Sequence, residues 1–150
     1  CGVAFGTARC GGGAGGGPEG PGASGIQVHM TNTLNTPVES IEQAFPVRIT
    51  HYGLTPPASP SPDGHPGGRG IIRRYEFLSQ AEVSLITDRR VTSPFGLNGA
   101  PAGTLGRNTL ITSDGVRHPL PGKASLTVNP GDALEVQTPT GGGWRPPPSD

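Results

Sequence analysis

Four histidines, His29, His51, His65 and His118, are the side chains best suited to carry protons or hold a metal, and they stand far apart along the chain. No two have the helical spacing that turns a pair of imidazoles onto one ion, so a metal site built from this chain alone is not expected. His29 is the strongest ligand candidate of the four, because polar amides and hydroxyls surround it. Glu39 could act as a general base near His29, yet it also lies three residues after Thr36, where a capping carboxylate belongs, and that reading explains it without catalysis. A phosphate loop of the Walker type fails at Gly122-Lys123. Arg117 stands where the first glycine should be, and Ala124 where a hydroxyl should hold magnesium. A Gly-x-Ser-x-Gly elbow is missing too, which leaves a serine hydrolase of that type unsupported.

Three stretches carry groups suited to anions. Asp88-Arg89-Arg90 ends an apolar run with one carboxylate and two guanidinium groups, which can pair with one another or grip a negatively charged group. Arg107 and Asn108 precede another apolar run and carry the same two readings. The run Thr138-Pro139-Thr140-Gly141-Gly142-Gly143-Trp144 places three consecutive glycines after a strand, so that backbone amides either line a site or simply turn a corner. Cys1 and Cys10 are the only cysteines, too few for a disulfide framework or a four-ligand zinc site, and both are expected as free thiols.

Eleven basic and eleven acidic side chains cancel, and basic residues never run longer than a pair, so the footprint of a nucleic-acid-binding protein is absent. The apolar runs are far too short to span a membrane, and no basic start followed by an apolar middle marks a signal peptide. A soluble, cytoplasmic chain is expected. It starts at Cys1 rather than Met, which suggests numbering that begins inside a longer protein.

These candidate groups need elements to position them. The 26 glycines and 18 prolines would suggest disorder, but they gather at 11–25, 55–70, 96–106 and 138–148, between short runs rich in Val, Ile, Leu, Thr and Tyr. Residues 1–25 read as a mobile glycine-rich leader, although glycines at such density also let backbone run close to another segment. Residues 26–30 are an extended candidate. Thr36-Pro37-Val38-Glu39 reads as a helix start with Thr36 as cap and Pro37 in the first helical position, and Pro46 stops the helix after about two turns.

Residues 47–52 read as a strand, and 71–78 with 81–87 as a hairpin across Ser79-Gln80. Asp114-Gly115 is the strongest hairpin signal, between 109–112 and 116–120, and Asn129-Pro130-Gly131-Asp132 is a second tight turn. The expected fold is mainly β: an antiparallel module of five to six strands, as a small sandwich or flattened barrel, with one short helix ahead of it.

Four segments in order, GASGIQVHMTNTLNTPVESIEQAFPVRI at 22–49, GGRGIIRRYEFL at 67–78, SLITDRRVTSPFGLNGAPAGTLGRN at 84–108 and LPGKASLTVNPGDALEVQTPTGGGW at 120–144, resemble the carboxy-terminal portion of the hydantoinase B/oxoprolinase family. The chain departs from that pattern in its proline-rich loop 59–66, in Thr140 where a further glycine is common, and in its Arg145-Pro146-Pro147-Pro148 tail. The resemblance implies one domain over 26–150, part of an amidohydrolase that opens a cyclic amide or imide with ATP. It also implies a partner, a hydantoinase A-type nucleotide-binding subunit or domain.

In such an enzyme ATP and a divalent metal serve the complete assembly, with metal ligands in the upstream portion, and this fragment alone is expected to bind no cofactor and to be inactive. A non-catalytic subunit-contact module and a part of an ATP-dependent acetone or acetophenone carboxylase are the alternatives. Carried over by motif, the substrate-pocket candidates are His29, Asn32, Thr33, Asn35, Thr36, Arg89, Arg90, Arg107, Asn108, Gly141, Gly142 and Gly143.

Overall fold

The structure is a computed structural model that describes residues 11–27 and 36–148. One helix and seven strands follow in order: α1 (Val38–Ala44), β1 (Val47–Leu54), β2 (Ile71–Phe77), β3 (Ala81–Ile86), β4 (Arg107–Ile111), β5 (Arg117–Leu120), β6 (Lys123–Val128) and β7 (Ala133–Gln137). They form two open sheets, five strands in the order β1-β2-β7-β4-β5 and two strands, β3-β6, with antiparallel pairing throughout. Of the two expected architectures the sandwich fits, since neither sheet closes into a barrel.

Period-two alternation builds the core. In β3, Ala81, Val83 and Leu85 are buried while Glu82, Ser84 and Ile86 face out. They meet Val128 of β6, Tyr75 and Phe77 of β2, and Leu134 and Val136 of β7, and α1 adds Ile41 to the same cluster. Arg73 occupies one inward position of β2 and is only 1% exposed. Its guanidinium lies 4.0 Å from the centroid of the Tyr52 ring, and Nη1 donates to Tyr75 Oη at 3.3 Å. Stacking on aromatic faces is how a guanidinium tolerates such surroundings.

The runs at 71–78 and 81–87 do not form a hairpin. Both edges of β2 are taken, by β1 and β7, so Ser79-Gln80 carries the chain to the other sheet, where β3 pairs with β6. The turn at 129–132 likewise crosses between layers, and Asp132 fixes it by accepting from Asn129 N at 2.8 Å and Ser113 N at 3.0 Å. Only the Asp114-Gly115 turn makes a true hairpin, β4 with β5, with Gly115 at φ 87°.

The helix start also differs from expectation. Pro37 is the N-cap and there is no side-chain cap bond. With the cap at Pro37 rather than Thr36, Glu39 falls at the second helical position instead of the third, and proline has no N–H to offer a capping carboxylate, so Glu39 remains exposed. Glu42 instead accepts from Ile49 N of β1 at 2.7 Å, tying helix to strand. Among the described residues no helix is long and apolar enough to cross a membrane.

Candidate functional site

Four glycine-rich segments that lie outside the strands pack together by their backbones at one end of the sheets. Residues 139–144, leaving β7, are the middle one. Gly141 N donates to Gly68 O at 2.8 Å, Gly16 N to Gly142 O at 2.9 Å, Gly13 N to Pro139 O at 3.2 Å, and Leu97 N to Gly143 O at 2.9 Å. Segments 11–27, 64–70 and 94–103 thus all attach to the run 139–144. Side chains are excluded from this seam: a Cβ on Gly141 would come within 1.8 Å of Ala14 O, and one on Gly142 within 1.9 Å of Phe95 O. Close backbone approach, the second reading of the leader glycines, is what residues 11–27 show.

Threonines close the margins of the seam. Thr138 Oγ1 accepts from Ile71 N at 2.7 Å and donates to Gly11 O at 2.8 Å. Thr140, the departure from a common glycine, is 1% exposed and exchanges bonds with Thr104, whose N donates to Thr140 Oγ1 at 2.8 Å. Thr55 Oγ1 accepts from Gly70 N at 3.0 Å. The sequence marked Thr138 and Thr140 only as members of the glycine run and Thr140 as a departure from the family pattern, and it gave no sign of their tying role, because a buried hydroxyl that joins two loops has no motif. His65 and Trp144 exchange two backbone bonds, and their rings stack with centroids 5.9 Å apart.

A second polar cluster joins the end of β3 to the start of β4. Asn108 is 2% exposed, and its amide donates to Thr87 Oγ1 at 2.8 Å and to Pro121 O at 3.1 Å. Its Oδ1 accepts from Arg90 Nη2 at 2.7 Å, while Arg90 Nη1 donates to the Asp88 carbonyl at 2.6 Å. Asp88 therefore meets Arg90 through its backbone, and the ion pairs seen among the described residues are elsewhere, at Glu135. Arg90 and Asn108 come together as a clasp between loop and sheet. Arg89 is exposed, with a left-handed φ of 59°.

The remaining candidates are dispersed. Arg107 projects from the outer face of the five-stranded sheet, Thr36 is exposed ahead of α1, and Gly141, Gly142 and Gly143 are buried in the seam. His29, Asn32, Thr33 and Asn35 lie outside the described residues. Among the described residues no three His, Cys, Asp or Glu side chains gather where they could hold a metal ion, so no step is derived through one.

On the outer face, Glu135 is 8% exposed, and each of its oxygens accepts from an arginine. Arg74 Nε donates to its Oε2 at 3.0 Å and Arg117 Nη2 to its Oε1 at 2.6 Å. Burial works to raise the pKa of this carboxyl, but the hydrogen bonds and charges of the two guanidinium groups outweigh it and hold the group below the usual glutamate value.

Fold and seam together define a two-sheet antiparallel β unit whose connecting loops are locked by backbone-to-backbone glycine packing. That unit matches the Hydantoinase B/oxoprolinase family model over residues 3–147, and the chain belongs to this family. It is 45% identical to 5-oxoprolinase 1 of Arabidopsis thaliana over 135 residues, covering 89% of this chain and 10% of that protein. A 5-oxoprolinase of Pestalotiopsis fici is 36% identical over 145 residues, covering 93% of this chain and 11% of that protein. The chain thus spans about a tenth of the length of these curated relatives. Among solved structures, an ATP-dependent caprolactamase from Pseudomonas jessenii shares the fold with a TM-score of 0.68 at 21% identity, over 91% of this chain and 24% of that one.

Proposed function

We propose that the chain is the β-rich portion of an ATP-dependent amidohydrolase that opens a cyclic amide or imide, of the 5-oxoprolinase or N-methylhydantoinase type. The observation that carries this reading is 45% identity to a 5-oxoprolinase along most of the chain, within a family match over 3–147. An amide carbon is a poor electrophile, and in the complete enzyme ATP supplies activation by phosphorylating the amide oxygen before water attacks. A hydantoinase A-type subunit or domain would handle the nucleotide, and a divalent metal, where the enzyme uses one, would be held by residues of the upstream portion. ATP chemistry of this kind suits a cytoplasmic enzyme.

The part assigned to this chain is positional. The glycine seam fixes loops 94–103 and 139–144 without side chains of its own, and the Arg90–Asn108 clasp anchors the segment that leaves β3. A wall held in this way excludes water and keeps polar groups at fixed positions for a companion polypeptide. The test is reconstitution with 5-oxoproline, or a hydantoin, and ATP. Ring opening should need the 150-residue chain, its upstream portion and the A-type subunit together. Turnover by the chain unaided would refute the division of labour, and an assembled enzyme without ring-opening activity would refute the reaction class.

A further inference from the structure

The outer face of the five-stranded sheet carries a feature to which the proposed function assigns no part. Residues directly opposite one another in a sheet project from the same face, and here Arg107 lies opposite Gln137, Thr109 opposite both Glu135 and Pro119, and Arg74 opposite Glu135. Together with Arg117, five of these side chains line a groove of about 440 Å³ across β4, β5 and β7.

Its electrostatics are unbalanced. Arg107 and Arg117 line the groove with one carboxylate, Glu135, which Arg74 also holds from the far side, and Glu76 lies beyond Arg74 on the same face. Both Glu135 oxygens are already occupied, by Arg74 and Arg117, and burial fixes that carboxylate in place. Arg107 makes no ion pair with it, and no carboxylate partner for Arg107 is found among the described residues. Arg117 gives Glu135 one N–H from Nη2 and keeps other donors.

We propose that this groove is a carboxylate-binding site, with Arg107 and the remaining donors of Arg117 forking onto the ligand and Gln137 and Thr109 as flanking hydrogen-bond partners. Guanidinium forks match a planar, two-oxygen anion. Phosphate can be held by the same forks, so it is the competing anion in the titration. The assignment rests on the sheet face and stands whether or not the chain serves a ring-opening enzyme. The carboxylate can come from a small acid or from an acidic polypeptide segment, and the chemistry is the same for both.

The experiment follows the arginine side-chain N–H signals of the 150-residue chain by NMR, titrated at constant ionic strength with glutarate, a hexaglutamate peptide or inorganic phosphate, and with sodium chloride as reference. Glutarate and hexaglutamate should shift the Arg107 and Arg117 signals. Arg107→Gln should weaken both by about tenfold with an unchanged circular dichroism spectrum, whereas Arg89→Gln, away from the sheet face, should leave them alone. Hexaglutamate binding well beyond glutarate at equal carboxylate concentration assigns the site to an acidic segment, and equal binding assigns it to a small acid. Shifts no larger than those with chloride, binding that survives Arg107→Gln, or phosphate binding more tightly than either carboxylate would overturn the proposal.

Discussion

Gly141→Ala tests the seam with the smallest possible side chain. The added Cβ would lie 1.8 Å from Ala14 O, where an ordinary contact needs 3.4 Å or more, so the two backbones must part by roughly 1.6 Å. The two bonds that join these segments, from Gly13 N to Pro139 O at 3.2 Å and from Gly16 N to Gly142 O at 2.9 Å, are stretched beyond bonding range at that separation. Two backbone bonds cost about 1–3 kcal/mol when they are lost in a buried place, and forcing volume into packed surroundings adds about 1–3 kcal/mol. A destabilisation of about 3–5 kcal/mol is expected, a large share of the roughly 5–15 kcal/mol of a typical domain. Urea unfolding followed by circular dichroism reads it as a midpoint lower by about 2 M, for a slope of about 2 kcal/mol/M. Gly17→Ala is the control: nothing lies within 4 Å of a Cβ built there, and its effect should stay within about 0.5 kcal/mol. Equal effects at the two positions, or a Gly141→Ala protein as stable as its parent, would refute close packing as the reason for the glycines.

Asn108→Ala strips the clasp of two donors and one acceptor and leaves Arg90 and the Pro121 carbonyl without them, at an expected cost of about 2–4 kcal/mol in the same urea assay. Glu135 gives a pH dependence. Its folded pKa is depressed below the ordinary glutamate value, so its contribution is present above that value and is lost as pH falls through the folded pKa. Urea midpoints measured from pH 6 down to pH 3 should therefore decline, and Glu135→Gln should make the decline shallower. Hydrogen exchange tests the leader: Ala14, Gly16, Gly22 and Gly25 donate to Ala23, Gly142, Pro66 and Arg69, and their amides should exchange roughly tenfold or more slowly than random coil. Random-coil rates at all four would show instead a leader that moves freely.

The strands could be read from sequence wherever local pattern decides. Alternation at 81–87 and the Asp-Gly turn at 114–115 set β3 and the β4–β5 hairpin, because side-chain period and turn conformation are properties of a few adjacent residues. Strand partners could not be read in the same way. Ser79-Gln80 is short enough for a hairpin, and only the occupation of both β2 edges by β1 and β7 sends it across the sandwich. The family segments pointed to Arg90 and Asn108, which do meet, but the sequence did not show that Asn108 uses its whole amide to hold the loop. Arg73 gave no signal as a buried residue either, since its placement depends on Tyr52, its partner on the neighbouring strand but distant along the chain.

The low apolar content of the chain and its high glycine content answer the same physical requirement. The two sheets enclose a small core of Val, Leu, Phe, Tyr and Ile, too small to cover the long connections at 11–27, 55–70 and 87–106. Loops buried against one another must then satisfy their own N–H and C=O groups, and only glycine lets four backbones come close enough to do so without strands. Such a seam is rigid but chemically uniform, because it offers a ligand little beyond amides already engaged. Selective recognition by this chain therefore has to come from side chains outside it, and the groove on the outer sheet face, where Arg107 and Arg117 flank one carboxylate, Glu135, has the charge and the donors for that role.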